Sequence, residues 1–386
     1  MTATATDPPR ICFVGLSNLP ALAPEYGGQR SGGAELQQVL LARALARRGW
    51  PVSMIVADHG QPDGAAWEGV RTYKAYRPEE GVPVIRFLYP RWTKLRSAMQ
   101  RAQADIYYTS CAGAQLAQLA LFARPRGRKL VFRVASDSDC DPRTLLVSYW
   151  RDRKLYGWGL KRADLVLAQT PAQQSALERN FGVASDVIGP LFEPGGSRPP
   201  FAARDIAALW VGNLRPLKRP GLLLEAAARL PQLAFHMIGG PMPGEEAFFE
   251  QLRRQAATLP NVTFHGFIPR QRIGEYFERA RVLVGTSETE GFPNTYLQAW
   301  SRGTPVVAFI DPQRLIATQG LGRVVKSPEE LQAAIAKLGG EPHAWQAASA
   351  RSRCYIDQRT QEHAIGAYAQ ALAGVMRAAG EARQAA

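Results

Sequence analysis

Apolar residues occur along this chain in two alternating rhythms. Short runs such as "RICFVGL", "PVSMIVA", "ADIYYTS", "KLVFRVA" and "ADLVLAQT" are rich in β-branched and aromatic residues and end at Gly, Pro or polar positions. Such runs suit strands covered on both faces. Between them lie stretches with a helical period. In "GGAELQQVLLARALARRG" the spacing puts Leu36, Val39, Leu40, Leu41 and Leu45 on or near one side of a helix starting near Ala34, with a Gly stop.

A Pro/Gly-rich stretch, "IGPLFEPGGSRPPF", interrupts the alternation. The rhythm then restarts with strands "IAALWVG", "LAFHMIGG", "NVTFHGF", "RVLVGTS" and "TPVVAF" and helices between them. Two βα series predict two doubly wound, Rossmann-like α/β domains. The boundaries fall at 1–190, a linker at 191–201, a second domain at 202–363 and a helical tail at 364–386. Ligands of such sheets bind beyond the carboxyl ends of the strands, so two domains facing across a cleft are expected to hold the ligand between them.

A length of 386 residues suits two cores rather than one. No run reaches the roughly 18 apolar residues needed to span a bilayer. The start lacks a basic region followed by an apolar one, so a secretory signal is not expected. Cys12, Cys111, Cys140 and Cys354 are scattered, which fits a reducing, cytoplasmic setting. No histidine pair has metal-binding spacing.

The net charge is +14, and residues 1–200 hold 26 Lys/Arg against 17 Asp/Glu. A phosphorylated substrate, an anionic membrane face, nucleic acid or plain solubility could each account for that excess. "YPRWTKLRSAMQR" mixes cations with Trp92, Leu95 and Met99. It reads either as a membrane-docking helix or as an ordinary helix packed on its own sheet.

Four loops carry candidate chemistry. Gly27, Gly28, Gly32 and Gly33 precede a helix whose N-terminus can hold an anion. Their spacing matches neither G-x-G-x-x-G nor a P-loop, and no acidic residue stands at the ribose spacing, which disfavours a dehydrogenase. Arg215, Lys218 and Arg219 crowd the loop "VGNLRPLKRP", suited to a diphosphate. Asp137, Asp139 and Asp141 could hold a divalent ion or simply cap a turn. In "SETEGFPNTYLQAWSRGTPVVAF", Glu290 and Gln298 can meet hydroxyls, Gly291 frees the backbone, and Asn294 or Thr295 can cap the next helix. Tyr296, Leu297 and Trp300 read as packing.

Together, "GGAE", "VGNLRPLKRPGLLLEAA", "NVTFHGFIP" and "SETEGFPNTYLQAWSRGTPVVA" resemble the retaining family 4 glycosyltransferases of the GT-B fold. The resemblance is strong over about 205–310 and looser before. It implies transfer of a sugar from a nucleotide-sugar donor to a glycan or lipid-linked acceptor, without a metal cofactor and without nucleic acid. By the resemblance, Glu290 is the first Glu of a Glu-x7-Glu motif, and Gln298 replaces the second, which meets the ribose. Lys218 is the diphosphate Lys. Gly212-Asn213 stand where a Gly-Arg is usual, with Arg215 as the substitute.

The backbone of Gly291, Phe292, Asn294 and Thr295 would face the sugar and its phosphate, Ile268 the base, and Gly32 and Gly33 the diphosphate. Ser136 and Asp137 occupy the region of a His used by several members. The resemblance also implies a terminal helix returning to the first domain. Its setting would be polysaccharide or glycolipid assembly in the cytoplasm, at or near the inner membrane face. A metal-dependent transferase using Asp137 and Asp139, a sugar-nucleotide epimerase and a non-catalytic binding protein are the competing readings.

Overall fold

The computed structural model describes residues 8–26, 32–82, 87–193, 195–242 and 244–384. Two compact units emerge: Met1–Leu191 with Glu362–Ala386, and Phe192–Gln361.

The first unit is built on eight strands: β1 Ile11–Val14, β2 Val52–Val56, β3 Ala66–Trp67, β4 Val70–Lys74, β5 Ile106–Ser110, β6 Lys129–Arg133, β7 Leu165–Ala168 and β8 Asp186–Val187. Their spatial order is β3-β4-β2-β1-β5-β6-β7-β8. Every pairing is parallel except that of β3 with β4. Alternation along β1 sends Ile11 and Phe13 into one core and Cys12 and Val14 into the other. Helices therefore cover both faces, as the unbroken apolar runs require.

The helix Gly33–Arg47 buries Leu36, Val39, Leu40, Leu41 and Leu45. The terminal helix Gln361–Gln384 lays Ile365, Tyr368 and Leu372 into the same core. Leu95 and Met99, on the helix Thr93–Ala102, are also buried, so that helix turns its apolar side to its own sheet.

The second unit has six parallel strands: β9 Ile206–Val211, β10 Phe235–Ile238, β11 Val262–Gly266, β12 Ala280–Gly285, β13 Val306–Ala308 and β14 Gly322–Val324. They lie in the order β11-β10-β9-β12-β13-β14. The chain starts in the middle, winds one way to β11, and returns to start the other half at β12. The switch point falls between β9 and β12, where helices leave in opposite directions and a crevice opens.

Residues of the Pro/Gly-rich stretch pack on this unit rather than hang free. Arg198 donates to Ser301 O at 2.9 Å and makes a forked pair with Asp357 at 2.7 and 2.9 Å.

Candidate active site

In the second unit the carboxyl ends of β9 and β12 are adjacent, so loops 212–220 and 286–293 meet although they are far apart in sequence. Trp210 Nε1 donates to Thr286 Oγ1 at 2.9 Å, and that hydroxyl donates to Lys218 O at 2.5 Å. Glu288 N donates to Leu217 O at 3.1 Å. The last two bonds span the two loops and the first ties β9 itself to the second loop, so together they fix one loop against the other.

On this frame Lys218 Nζ forms an ion pair with Glu290 Oε1. Ser287 Oγ donates to the same carboxylate oxygen at 2.8 Å. Both charged side chains are about four-fifths covered, at 21% and 19% exposure, yet still open to solvent. A half-buried ammonium held beside a carboxylate at a switch point can bind a phosphoryl oxygen and a sugar hydroxyl side by side.

The three cations of "RPLKR" have separate fates. Arg219, with a left-handed φ of 44°, donates to Thr286 O at 2.9 Å and lies 4.6 Å from the Phe309 ring centre. It is a brace between the loops, not a free cation. Arg215 opens the short turn Pro216–Lys218, and its buried Nε has no partner among the described residues. A buried, unsatisfied guanidinium donor is costly unless an anion meets it.

Gly212 sits where backbones crowd. Its N–H donates to Ile238 O at 3.0 Å, and a Cβ on Gly239 would stand 2.0 Å from Gly212 O. Asn213 follows half-buried.

The helix Asn294–Ser301 begins one residue earlier than its polar residues suggest. Asn294 and Thr295 are not its cap; Pro293 is, and no side chain caps the end. Pro293 has no N–H to offer. The positive end of the helix thus follows the Glu290 loop directly in the chain, and Pro293 brings no side-chain oxygen to it. Gly291 and Phe292 are buried, Phe292 packing in the core with Tyr296, Leu297 and Trp300.

Gln298 is half-buried on that helix. Its side-chain amide has no hydrogen-bond partner among the described residues, whereas its carbonyl accepts from Ser301 and Arg302. Ile268 lies in the core beside Tyr276, and the neighbouring Phe267 is the exposed apolar residue of the loop. His236 Nδ1 and His265 Nε2 are 3.0 Å apart nearby. Burial, then the second ring, holds His236 down to about 4.

In the first unit, Gly32 precedes the helix Gly33–Arg47, and a Cβ there would fall 2.0 Å from Glu35 Oε2. Glu35 thus folds over the helix start, and burial raises its pKa. Gly27 and Gly28 lie outside the described residues.

At the end of β6, Asp139 Oδ2 accepts from the N–H groups of Ala135 and Ser136 at 2.9 and 3.3 Å. Ser136 caps the turn Asp137–Cys140 in return. Asp139 is committed to its own turn, and burial pushes its carboxyl up to about 6. Asp141 forks with Arg143 at 2.6 to 3.2 Å. Asp137 is exposed and accepts from Gln173 Nε2 at 2.8 Å. The three acids therefore point to three tasks rather than to one chelate. Among the described residues, no three His, Cys, Asp or Glu side chains come together as a metal set.

Sequence reasoning missed Thr286, Ser287 and Arg219 as the frame of the site. Only their place directly after β12 and in the β9 loop hinted at it.

Two doubly wound sheets, one with a Lys–Glu pair at its switch point, define a two-domain α/β protein of the GT-B fold. Residues 32–190 match the family described as "Glycosyl transferase 4-like domain", and residues 206–340 match "Glycosyl transferases group 1". These two matches, both to glycosyltransferase domain families, together span most of the chain. A D-inositol 3-phosphate glycosyltransferase of Geodermatophilus obscurus is 30% identical over 218 residues, covering 52% of this chain and 44% of the relative. A second such protein, from Catenulispora acidiphila, is 30% identical over 173 residues, covering 38% and 40%. The chain thus spans less than half the length of these curated relatives.

Among solved structures, Anabaena HepE in complex with UDP and glucose superposes with a TM-score of 0.73 at 19% identity, over 95% of this chain and all of that one. Sucrose-phosphate synthase from Thermosynechococcus elongatus gives 0.72 at 19%, over 96% and 100%. At such identities the likeness establishes the fold alone. No described helix is long and apolar enough to cross a membrane.

Proposed function

We propose that this chain transfers a sugar from a nucleoside-diphosphate donor to an acceptor hydroxyl, with retention of anomeric configuration, in polysaccharide or glycolipid assembly. The observation that carries this reading is the Lys218–Glu290 pair, locked by cross-loop hydrogen bonds at the switch point of the second sheet. In this reading Glu290 accepts from hydroxyls of the transferred sugar. Lys218 has three donors, so it can keep Glu290 and still bind a diphosphate oxygen. Arg215 meets the second phosphate with its unpartnered Nε. The backbone at Gly291–Thr295 faces the sugar phosphate.

As the bond from the anomeric carbon to the diphosphate oxygen breaks, charge builds on that oxygen. Lys218 and Arg215 stabilise it, each worth about 10²-fold in rate or more. The acceptor oxygen forms its bond on the same face, and its proton passes to the departing diphosphate. No protein nucleophile takes part. Asp137, exposed in the turn that follows β6, is the carboxylate on the acceptor side. Two cations at the leaving group make a metal unnecessary, so EDTA is expected to leave turnover unchanged. A metal-dependent enzyme would lose it.

Gln298 meets the ribose in place of a Glu, and Gly212, Asn213 and Ile268 line the nucleotide. The acceptor is a glycan or a lipid-linked glycan, and the site of action is cytoplasmic.

A panel of UDP-, GDP- and ADP-sugars tested by thermal shift should single out one base. Proton NMR of the product formed from the matching donor should then show the donor's anomeric configuration. Inverted product removes retention, and product formed without any acceptor points instead to an epimerase.

A further inference from the structure

The ion pair at the second unit's switch point is held unequally, and the inequality falls on one oxygen atom. Lys218 Nζ and Ser287 Oγ both donate to Glu290 Oε1. Among the described residues, no group donates to Oε2. A carboxylate accepts hydrogen bonds on both of its oxygens, so one half of Glu290 is engaged by the protein and the other is left open.

Ser287 is the neutral donor of the two, and nothing in the chemistry of the diphosphate requires it. Its neighbours have other partners. Thr286, fully buried, accepts from Trp210 Nε1 and donates to Lys218 O. Glu288 donates its backbone N–H to Leu217 O, and its carboxylate lies 3.9 Å from Arg219 Nε. Tyr296, on the helix Asn294–Ser301, donates to Ile310 O at 3.3 Å. Of these residues only Ser287 turns to Glu290, three positions on, at 2.8 Å across the bend at Glu288.

Two adjacent hydroxyls therefore hold opposite ends of the Lys–Glu pair. Thr286 fixes the Lys218 backbone, and Ser287 fixes the Glu290 carboxylate. A Glu side chain has several rotatable bonds, and ordering them only when substrate arrives costs binding free energy. Two bonds to Oε1 order the side chain beforehand. Oε2 is then presented at one place, which matters because small displacements at a reacting centre are costly.

We propose that Ser287 is a positioning residue for the transfer: by holding Glu290 Oε1, it leaves Oε2 as the one oxygen that accepts from the hydroxyls of the transferred sugar. This rests on the reading of Glu290 as the sugar contact, and the experiment separates the two.

The test is titration calorimetry of UDP, GDP and ADP, and of their glucose, galactose and mannose conjugates. It uses the full chain as wild type, Ser287→Ala, Ser287→Thr, Glu290→Ala and the double variant Ser287→Ala/Glu290→Ala. The quantity read is the affinity for the conjugate relative to that for the free nucleotide. Ser287→Ala should lower this ratio by about tenfold, the order of one hydrogen bond to a charged group. The Kd of the free nucleoside diphosphate and the thermal midpoint should stay at wild-type values. Ser287→Thr keeps a hydroxyl on the same carbon and should restore the ratio to within about twofold. The double variant should bind the conjugate no more weakly than Glu290→Ala alone, because a residue acting through Glu290 then has nothing to act on.

An unchanged ratio in Ser287→Ala, with a lowered one in Glu290→Ala, overturns the proposal and leaves the reading of Glu290 standing. Additive losses in the double variant also overturn it, since they would make Ser287 a direct sugar contact. So does a fallen midpoint together with weakened binding of the free nucleotide, which would make its role structural alone. If Glu290→Ala itself leaves the ratio unchanged, or if none of the conjugates binds, the reading and the proposal fall together.

Discussion

The two sheets share a winding order around their first strands, yet their carboxyl edges carry opposite chemistry. At the second sheet's switch point stand two cations, Lys218 and Arg215, with one carboxylate between loops that hold each other in place. The first sheet's edge carries Glu35, Asp137 and Asp139, and two of these are pushed towards their neutral forms by burial. A shared scaffold therefore does not set the electrostatics; the loops grafted on it do. The contrast is one of loops, with cations set beside a carboxylate in the second unit and carboxylates alone in the first.

The contrast breaks first at Lys218. Lys218→Ala should lower turnover by about 10²–10³, the range for removal of one charge-stabilising donor, with little change in thermal midpoint. A loss of ten-fold or less in a well-folded variant would mean that the cation is not at the leaving group.

Asp139 sharpens the other side. Burial pushes its carboxyl up to about 6 from the ordinary 3.8, so between these values the folded chain holds a proton that the unfolded chain has released. The group's stabilising effect is complete below pH 3.8 and is lost as pH rises through 6. A shift of about two units corresponds to roughly 3 kcal/mol. Asp139→Asn cannot titrate, so the stability of the variant relative to wild type should rise by about 2–3 kcal/mol between pH 4 and 7, read by urea unfolding. A flat difference would contradict the buried, proton-holding Asp139.

The His236–His265 pair in the second unit has the opposite sign. Held down to about 4, His236 stays neutral in the fold where the unfolded chain binds a proton. Its contribution is therefore lost as pH falls from 6.5 towards 4.

The smallest effect is expected at Gln298. A charged acceptor to the ribose is worth about 1.5–3 kcal/mol against about 1 for a neutral one. Gln298→Glu should tighten donor binding by up to about tenfold, partly offset by repulsion from the diphosphate. An unchanged Kd would move Gln298 away from the ribose.

What the sequence made legible follows the reach of each cause. Alternating strands and helices are local, so the central strands of both sheets could be read from periodicity, while β3, β4, β8 and β14, which lie at or next to the sheet edges, could not; the "RPLKRP" and "SETEGFP" loops could be read from their position after strands. The bonds that make these loops one site could not, because Thr286–Lys218 and Glu288–Leu217 join residues about 70 apart in the chain. The helix start at Asn294 was misjudged because polar residues suggested a cap, whereas the backbone turns at Pro293. Cations and apolar residues in "TKLRSAMQR" fit a membrane face and a sheet-packed helix equally well, and only the fold buries Leu95 and Met99.

The central claim is that the second unit's switch point is a nucleoside-diphosphate site. Titration calorimetry of UDP, GDP and ADP into the wild-type chain, without added metal, tests it most directly. One of the three should bind at one site per chain, and Lys218→Ala should weaken that binding by at least about tenfold, the factor that 1.4 kcal/mol represents. If none binds at millimolar concentration, or if the variant binds as tightly as the wild type, the site has been placed wrongly.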